Sequence, residues 1–378
     1  MKTLFFYGTL RFRPLLDLVL DGETYAVRPA VLADHAVYWA QSGGEDQVFP
    51  MIVAEPGGSA QGVLVSGLSK AAIERLNHYE GGFAYTLCDM RVEGPDGPAL
   101  AEVYFPEAGL WSPGAPWSLE DWADRWGEMT LAAAEEVMSY MGQLSPQEVA
   151  ARFPMIRLRA ASRVRAKAEP SPAALRTDWG PDRTRVARRE RPYVNFFAIE
   201  ERDLAFPRFD GTMSPVVNRA AFLGGDAVTV LPYDPHRDAV LLIEQFRVGP
   251  YMRGDLHPWI LEPIAGRIDP GETPEATARR EALEEANLTI GALEHVGDYY
   301  PTPGAVTEYL YSYIAICDLP DSAAGLGGML GEAEDIRSHV ISFDRLIDLV
   351  QSGEVDNAPL LISAMWLMQN RDRLRGAV

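Results

Sequence analysis

The chain has 378 residues, with 47% apolar and 23% charged side chains, 33 Gly and 28 Pro. That length exceeds what a single hydrophobic core fills, so two domains are expected, and the composition excludes a low-complexity or collagenous chain. A net charge of −20 argues against nucleic acid as a partner, because such binding depends on Lys and Arg displacing counterions from phosphates.

Leu4 to Phe6 continue a short apolar run of β formers from Thr3, and Tyr7-Gly8-Thr9-Leu10 halts it before an apolar stretch, Pro14 to Leu20, that predicts a helix. A Gly-containing turn between strand and helix can aim successive backbone N–H groups at an anion, for which a carboxylate is a natural occupant. The run before Arg11 and Arg13 is too short for a signal peptide, and no stretch reaches the roughly eighteen apolar residues of a membrane span, so no membrane role is expected. Gln61 to Val65 read as a strand, and Ala71 to Tyr79 as an amphipathic helix stopped by Gly81-Gly82. Glu80 then sits at the helix exit beside Tyr79 and Tyr85. The helix dipole disfavours a carboxylate there, and apolar neighbours raise its pKa toward the range useful for moving protons at neutral pH.

A strand running into Tyr7-Gly8-Thr9-Leu10, with a later Leu76-x-x-Tyr79-Glu80-Gly81, resembles the γ-glutamylcyclotransferase-like family over about residues 1–145. The resemblance implies a small mixed β-barrel in which Tyr7, Gly8, Thr9 and Leu10 hold a substrate carboxylate. It also implies that Glu80 relays a proton as an α-amine attacks a γ-amide carbonyl and releases 5-oxoproline. The Trp-rich stretch from Trp111 to Trp126 gives no clue to a substrate.

Residues 146–184 are expected to be a basic connector. From Arg152 to Arg191 twelve Lys or Arg face four acids, a local +8 that leaves −28 to the rest, and Glu169-Pro170-Ser171-Pro172 has the Pro and small-residue content of a linker. Cys88 and Cys317 are far apart and lack CxxC spacing, which supports neither a disulfide framework nor a structural zinc site and predicts a reducing, cytoplasmic setting. No period of 20 to 50 residues repeats, so solenoids and propellers are not expected.

The strongest signal is Gly266-Arg267-Ile268-Asp269-Pro270-Gly271-Glu272, followed after seven residues by Arg280-Glu281-Ala282-Leu283-Glu284-Glu285-Ala286-Asn287-Leu288. Thr273 suits an N-cap, Pro274 the first helical position and Asn287 a left-handed C-cap, which predicts a helix from Pro274 to about Ala286. Glu281, Glu284 and Glu285 share one side of it, where like charges repel. Arg280 can pair with Glu284 at i+4 but does not neutralise the cluster. A hard divalent cation, which takes carboxylate oxygens and keeps positions for water and phosphate, makes the clustering intelligible.

This pattern resembles the Nudix box, and residues 185–378 are identified with Nudix hydrolases, an α/β/α sandwich. The overall expectation is therefore a two-domain α+β / α/β chain: a mixed β-barrel at 1–145, a connector at 146–184 and the sandwich at 185–378. Ala282 stands where a larger aliphatic is usual and Asn287 where Gly is usual. Phe209-Asp210-Gly211-Thr212-Met213-Ser214, Leu242-Ile243-Glu244-Gln245-Phe246-Arg247, Pro303 and Glu332-Ala333-Glu334-Asp335-Ile336 are similar to the ADP-ribose pyrophosphatase branch, including its tellurite-resistance-associated members.

The resemblance implies Mg²⁺, with Mn²⁺ as an alternative, held by the Ala265 carbonyl, Glu281 and Glu285, and by Glu284 through water. Glu332 is favoured over Glu334 as the group that orients or deprotonates the attacking water, with Glu334 open to being a metal ligand. Glu272 and Arg280 buttress the loop and helix, Arg247 binds phosphate, Phe196 stacks on adenine, and Arg219 and Glu308 reach the substrate from a partner subunit. His339 has no assigned role. The branch implies a homodimer through the second domain and hydrolysis of ADP-ribose to AMP and ribose 5-phosphate. Two alternatives stand beside it: another nucleoside diphosphate sugar or dinucleotide as substrate, or an ADP-ribose-binding sensor with a non-catalytic first domain.

Overall fold

A computed structural model describes residues 2–83, 85–169, 171–328 and 335–376. The chain forms two compact units, Met1–Ser171 and Pro172–Val378.

In the first unit the order is β1 (Leu4–Phe6), α1 (Arg13–Leu20), β2 (Ala26–Ser42), β3 (Glu45–Ser66), α2 (Lys70–Glu80), β4 (Tyr85–Gly94), β5 (Gly97–Pro106), β6 (Ser112–Pro116), α3 (Leu119–Ser139) and α4 (Pro146–Ala168). The strands run β3-β1-β5-β4-β2, and β2 pairs back onto β3, which closes a five-stranded barrel with β6 on the outside of β2. Only β1 and β5 pair in parallel among the described pairings of this unit; the rest are antiparallel. Closure removes the open edges that a flat sheet would expose. Phe5, Leu32, Ile52, Val92 and Val103 fill the interior, each at most 2% exposed.

Residues 146–184, expected as one basic connector, divide instead. Their first part is α4, started by a capping box in which the Ser145 hydroxyl accepts from Glu148 N and the Glu148 carboxylate accepts from Ser145 N. Ile156, Leu158 and Ala160 are buried, so the arginines of this stretch are carried on a packed helix and are themselves part-buried. Arg159 is the most deeply buried of them. It is 3% exposed and donates from Nε to Glu136 of α3 at 3.0 Å, and Tyr140 Oη donates to the same carboxylate oxygen at 3.1 Å. A charge count does not place this segment, because it does not distinguish a cation turned inward from one in water.

The second unit contains β7 (Arg185–Val194), β8 (Ala198–Ala205), β9 (Val217–Leu223), β10 (Ala227–Asp234), β11 (Ala239–Phe246), α5 (Val248–Arg253), β12 (Trp259–Glu262), β13 (Ile264–Arg267), α6 (Pro274–Ala286), β14 (Leu293–Tyr299), β15 (Leu310–Ile316), β16 (Gly325–Gly327), β17 (Ile336–Ser342), α7 (Phe343–Ser352) and α8 (Ala358–Gly376). β7, β8 and β9 form an antiparallel sheet of their own. The larger sheet runs β14-β15-β10-β11-β17-β16, with β12 on β11 and β13 on β10.

Every residue of β10 is buried, as expected of a strand covered on both faces. Val228 and Val230 pack with Ala278 and Ala282 of α6, whereas Leu231 and Tyr233 pack with Leu346 of α7 and Leu360 of α8. The sheet is thus sandwiched between α6 and the α7–α8 pair. No helix among the described residues is long and apolar enough to cross a membrane.

Candidate active sites

In the first unit, Tyr7, Gly8, Thr9, Leu10 and Glu80 line one cavity of about 160 Å³. β1 ends at Phe6, and a 3-10 turn over Thr9–Arg11, closed by Arg11 N donating to Gly8 O at 3.0 Å, curls the Tyr7–Leu10 segment against it. Glu80 is the last residue of α2, whose start is fixed by the Ser69 hydroxyl accepting from Ala72 N at 3.0 Å. Burial pushes the Glu80 carboxyl up to about 7. Burial, and then the neighbouring Glu80, holds the Tyr79 and Tyr85 phenols well above their usual value, so both remain O–H donors. Glu80 therefore sits among aromatic side chains at a pKa suited to exchanging protons near neutrality.

Trp111, which has no expected role, is part of this wall, 5.0 Å from Phe49 and 5.6 Å from Tyr85 between ring centroids. No local signal marks it. Barrel closure brings β3, β4 and the segment before β6 together.

In the second unit, β13 and α6 hold the carboxylates. Thr273 caps α6 by accepting from Ala276 N at 3.2 Å, and Asn287 ends it in the left-handed conformation at φ 48°. Ala282 is fully buried, so its small side chain is matched to close packing of the helix on the sheet. Glu285 is 2% exposed and its Oε2 accepts from Ala265 N at 3.1 Å. Beside it, Gly266 lies so close to Glu281 that a Cβ would overlap the carboxylate.

Arg280 does more than the expected i+4 pairing. Its Nη1 donates to Glu281 at 2.7 Å and Glu284 at 2.9 Å, its Nε and Nη2 to Glu272 at 3.1 and 3.0 Å, and its Nη2 to Arg267 O at 3.1 Å. Burial opposes charge on Glu272, yet hydrogen bonds from Arg280 and Thr277 hold its carboxyl below the usual range. One guanidinium thus ties the loop after β13 to the acidic side of α6, and with Glu285 the group keeps an excess of negative charge.

A family model described as "NUDIX domain" matches residues 224–361, and one described as "Gamma-glutamyl cyclotransferase, AIG2-like" matches residues 4–124. The chain is 36% identical over 204 residues to the "ADP-ribose pyrophosphatase" of Escherichia coli (strain K12), covering 54% of this chain and 97% of that protein. The chain belongs to the Nudix family. It is also 34% identical over 185 residues to the "ADP-ribose pyrophosphatase" of Haemophilus influenzae, covering 48% of this chain and 85% of that protein. With the "GDP-mannose pyrophosphatase" of Enterobacter sp. (strain 638) it shares 32% over 149 residues, 39% of this chain and 76% of that protein. A γ-glutamyl cyclotransferase, AIG2-like domain thus precedes the Nudix domain.

Within the Nudix unit, two of the expected substrate-binding residues, Phe196 and Glu308, lie near Arg267, which directly follows Gly266 and has no expected role. Its guanidinium lies 4.1 Å from the Phe196 ring centroid, so one face of that ring already carries a cation, and the Phe197 ring meets it edge-on at 4.8 Å. Burial raises the Glu308 carboxyl, against the opposing influence of Arg267 and Arg247. Arg247 donates from Nε to Glu262 at 2.7 Å, and Glu262 is itself raised by burial in spite of that partner. Arg219 is exposed on β9 opposite Arg202 and donates to Asn218 O at 2.9 Å. His339 Nε2 lies 2.9 Å from Glu244 Oε2.

Glu332 and Glu334 lie outside the described residues. Among the described residues, no three His, Cys, Asp or Glu side chains are grouped so as to hold a metal ion. The donors that are placed, the Glu281 carboxylate against the bare Cα of Gly266 and the Glu285 carboxylate against Ala265, are all-oxygen and anionic, the chemistry that hard divalent cations require.

Proposed function

We propose that the Nudix unit hydrolyses the pyrophosphate bond of ADP-ribose, giving AMP and ribose 5-phosphate, with Mg²⁺ (or Mn²⁺) held by Glu281, Glu285 and the Ala265 carbonyl. The observation that carries this reading is the approach of Glu281 and Glu285 to the Ala265–Gly266 edge, where the missing side chain of Gly266 lets anionic carboxylate oxygens gather beside the backbone. The cation supplies charge neutralisation at the phosphates and acidifies bound water. The chain's own residues do the rest. Arg280 keeps Glu281 and Glu284 in place, Arg247 offers a cation to a phosphate, Arg267 and Phe196 face the nucleoside, and Glu332 or Glu334 takes the proton of the water that attacks phosphorus as the bridging P–O bond breaks. Arg219 and Glu308 act across a homodimer interface of this unit. Small charged nucleotides and two free thiols, Cys88 and Cys317, fit a cytoplasmic setting without nucleic-acid or membrane partners.

The resemblance to GDP-mannose pyrophosphatases favours a second reading, a different nucleoside diphosphate sugar. Incubating the chain and Mg²⁺ with ADP-ribose, GDP-mannose and NADH, and identifying products, decides between them. Glu285→Gln keeps an acceptor for Ala265 N and should abolish AMP release while leaving the fold; full activity in that variant would refute the metal assignment.

For the first unit we infer γ-glutamyl cyclotransfer. The substrate's α-amine forms a bond to its own γ-carbonyl carbon, the amide C–N bond breaks, and Glu80 carries the proton from the attacking nitrogen to the leaving amine. The pKa of about 7 at the base of an aromatic cavity supports this role. Release of 5-oxoproline from γ-glutamyl compounds, lost in Glu80→Gln, is the test.

A further inference from the structure

Helix α4 lies beyond the segment matched by the cyclotransferase model, which ends at residue 124, yet it helps build the cavity. Three contacts tie it to the Glu80 exit turn. Gly82 packs so closely on the first turn of α4 that a Cβ would overlap the Pro146 carbonyl. Gln147 donates to Gly81 O at 3.3 Å, and Phe83 meets Phe153 edge-on at 5.0 Å. Both Phe83 and Phe153 line the cavity, and so does Arg157, one turn further along α4. The buried Arg159–Glu136 pair fixes the helix against α3.

The placement of α4 divides the cavity by chemistry. The Tyr7–Leu10 segment and Glu80 come from the ends of β1 and α2, and they account for the carboxylate and amine of a γ-glutamyl head. The wall contributed by α4 is left for the group on the other side of the scissile amide. It offers aromatic faces and one guanidinium, whose five N–H donors allow it to hold a ligand carboxylate alongside a protein partner.

Resting on the cyclotransfer reading, we propose that α4 forms the leaving-group subsite, with Phe83 and Phe153 taking an apolar side chain and Arg157 its carboxylate. The substrate class is then a γ-glutamyl derivative of an apolar, especially aromatic, amino acid. Arg157 is a specificity residue that selects for an acid over a simple amine. Glu80 transfers the proton in either case.

The test uses the full-length chain and two probes that differ by one group, γ-glutamyl-phenylalanine and γ-glutamyl-phenethylamine, with binding measured by titration calorimetry and KM by 5-oxoproline release. We expect the acid to bind about tenfold or more tightly than the amine, as a charge-assisted contact predicts. Arg157→Ala should remove that preference by weakening only the acid, and Arg157→Lys should restore part of it. Equal affinities in the unaltered chain overturn the subsite while leaving the cyclotransfer reading standing, and so does a preference that survives Arg157→Ala. Binding of neither probe overturns the subsite, and the cyclotransfer reading falls with it only if no γ-glutamyl compound yields 5-oxoproline. The comparison within the unaltered chain decides the matter even if the variants do not fold.

Discussion

The Cα of Gly266 abuts the carboxylate of Glu281, with no space for a methyl group between them. The backbone at Gly266 is not in the left-handed region, so alanine is conformationally acceptable there and its effect falls on the side chain opposite. Gly266→Ala should lower the melting temperature only modestly, because the Glu281 side chain must swing away from the new methyl and loosen its contact with Arg280. Displacing Glu281 should still cost about a hundredfold in kcat/KM for ADP-ribose, the scale of a misplacement near 1 Å. A large fall in stability with activity retained would contradict this.

Arg280 bridges Glu272, Glu281 and Glu284 through a planar fork that an ammonium group does not reproduce. Arg280→Lys should lower stability by about 1–3 kcal/mol, the scale of lost charge-assisted hydrogen bonds. Hydrolysis should fall as well, since three carboxylates lose their common partner. Urea denaturation and ADP-ribose turnover measured on one preparation check both.

The Glu80 carboxyl is raised from 4.5 to about 7 in the folded chain. A group that binds its proton more tightly when folded contributes stability that is complete below the unfolded pKa and lost as pH rises through the folded one. The first unit should therefore lose on the order of 2–3 kcal/mol between about pH 4.5 and pH 7 from this group. Glu80→Gln, which does not ionise, should be more stable than the unaltered chain at pH 8 and similar to it at pH 4. Melting curves of the unaltered chain and of Glu80→Gln across that range would show parallel pH profiles if Glu80 were ordinary.

Arg159 and Glu136 are 3% and 1% exposed. Removing one partner leaves the other charge buried and uncompensated, so Arg159→Ala should cost about 3–5 kcal/mol. Replacing both with Met and Leu should recover most of that loss. Because α4 lines the cavity, the single variant should also lose γ-glutamyl binding, whereas ADP-ribose hydrolysis in the second unit should persist.

Local rules determined a good deal from the sequence alone. The Thr273 cap, Pro274 and the left-handed Asn287 delimit α6 through interactions within a few residues, so both ends of that helix were legible. The same holds for the exit of α2 at Glu80, where two glycines follow. The strand, turn and helix from Leu4 to Leu20 were legible for the same reason. The Ser145–Glu148 capping box was also there to be read, and it would have shown that a helix begins inside the supposed connector.

Long-range packing decided the rest. Whether an arginine faces water or a buried glutamate depends on what lies across from it, which no spacing records; Arg159 meets Glu136 23 positions away. Arg267 meets Phe196 from a different sheet, and Trp111 joins the cavity because five strands close into a ring. The sequence carried the chemistry of the carboxylates, since charge and helical period are local. Which cations restrain them, and which helix completes the aromatic cavity, followed only from contacts between segments remote in the chain.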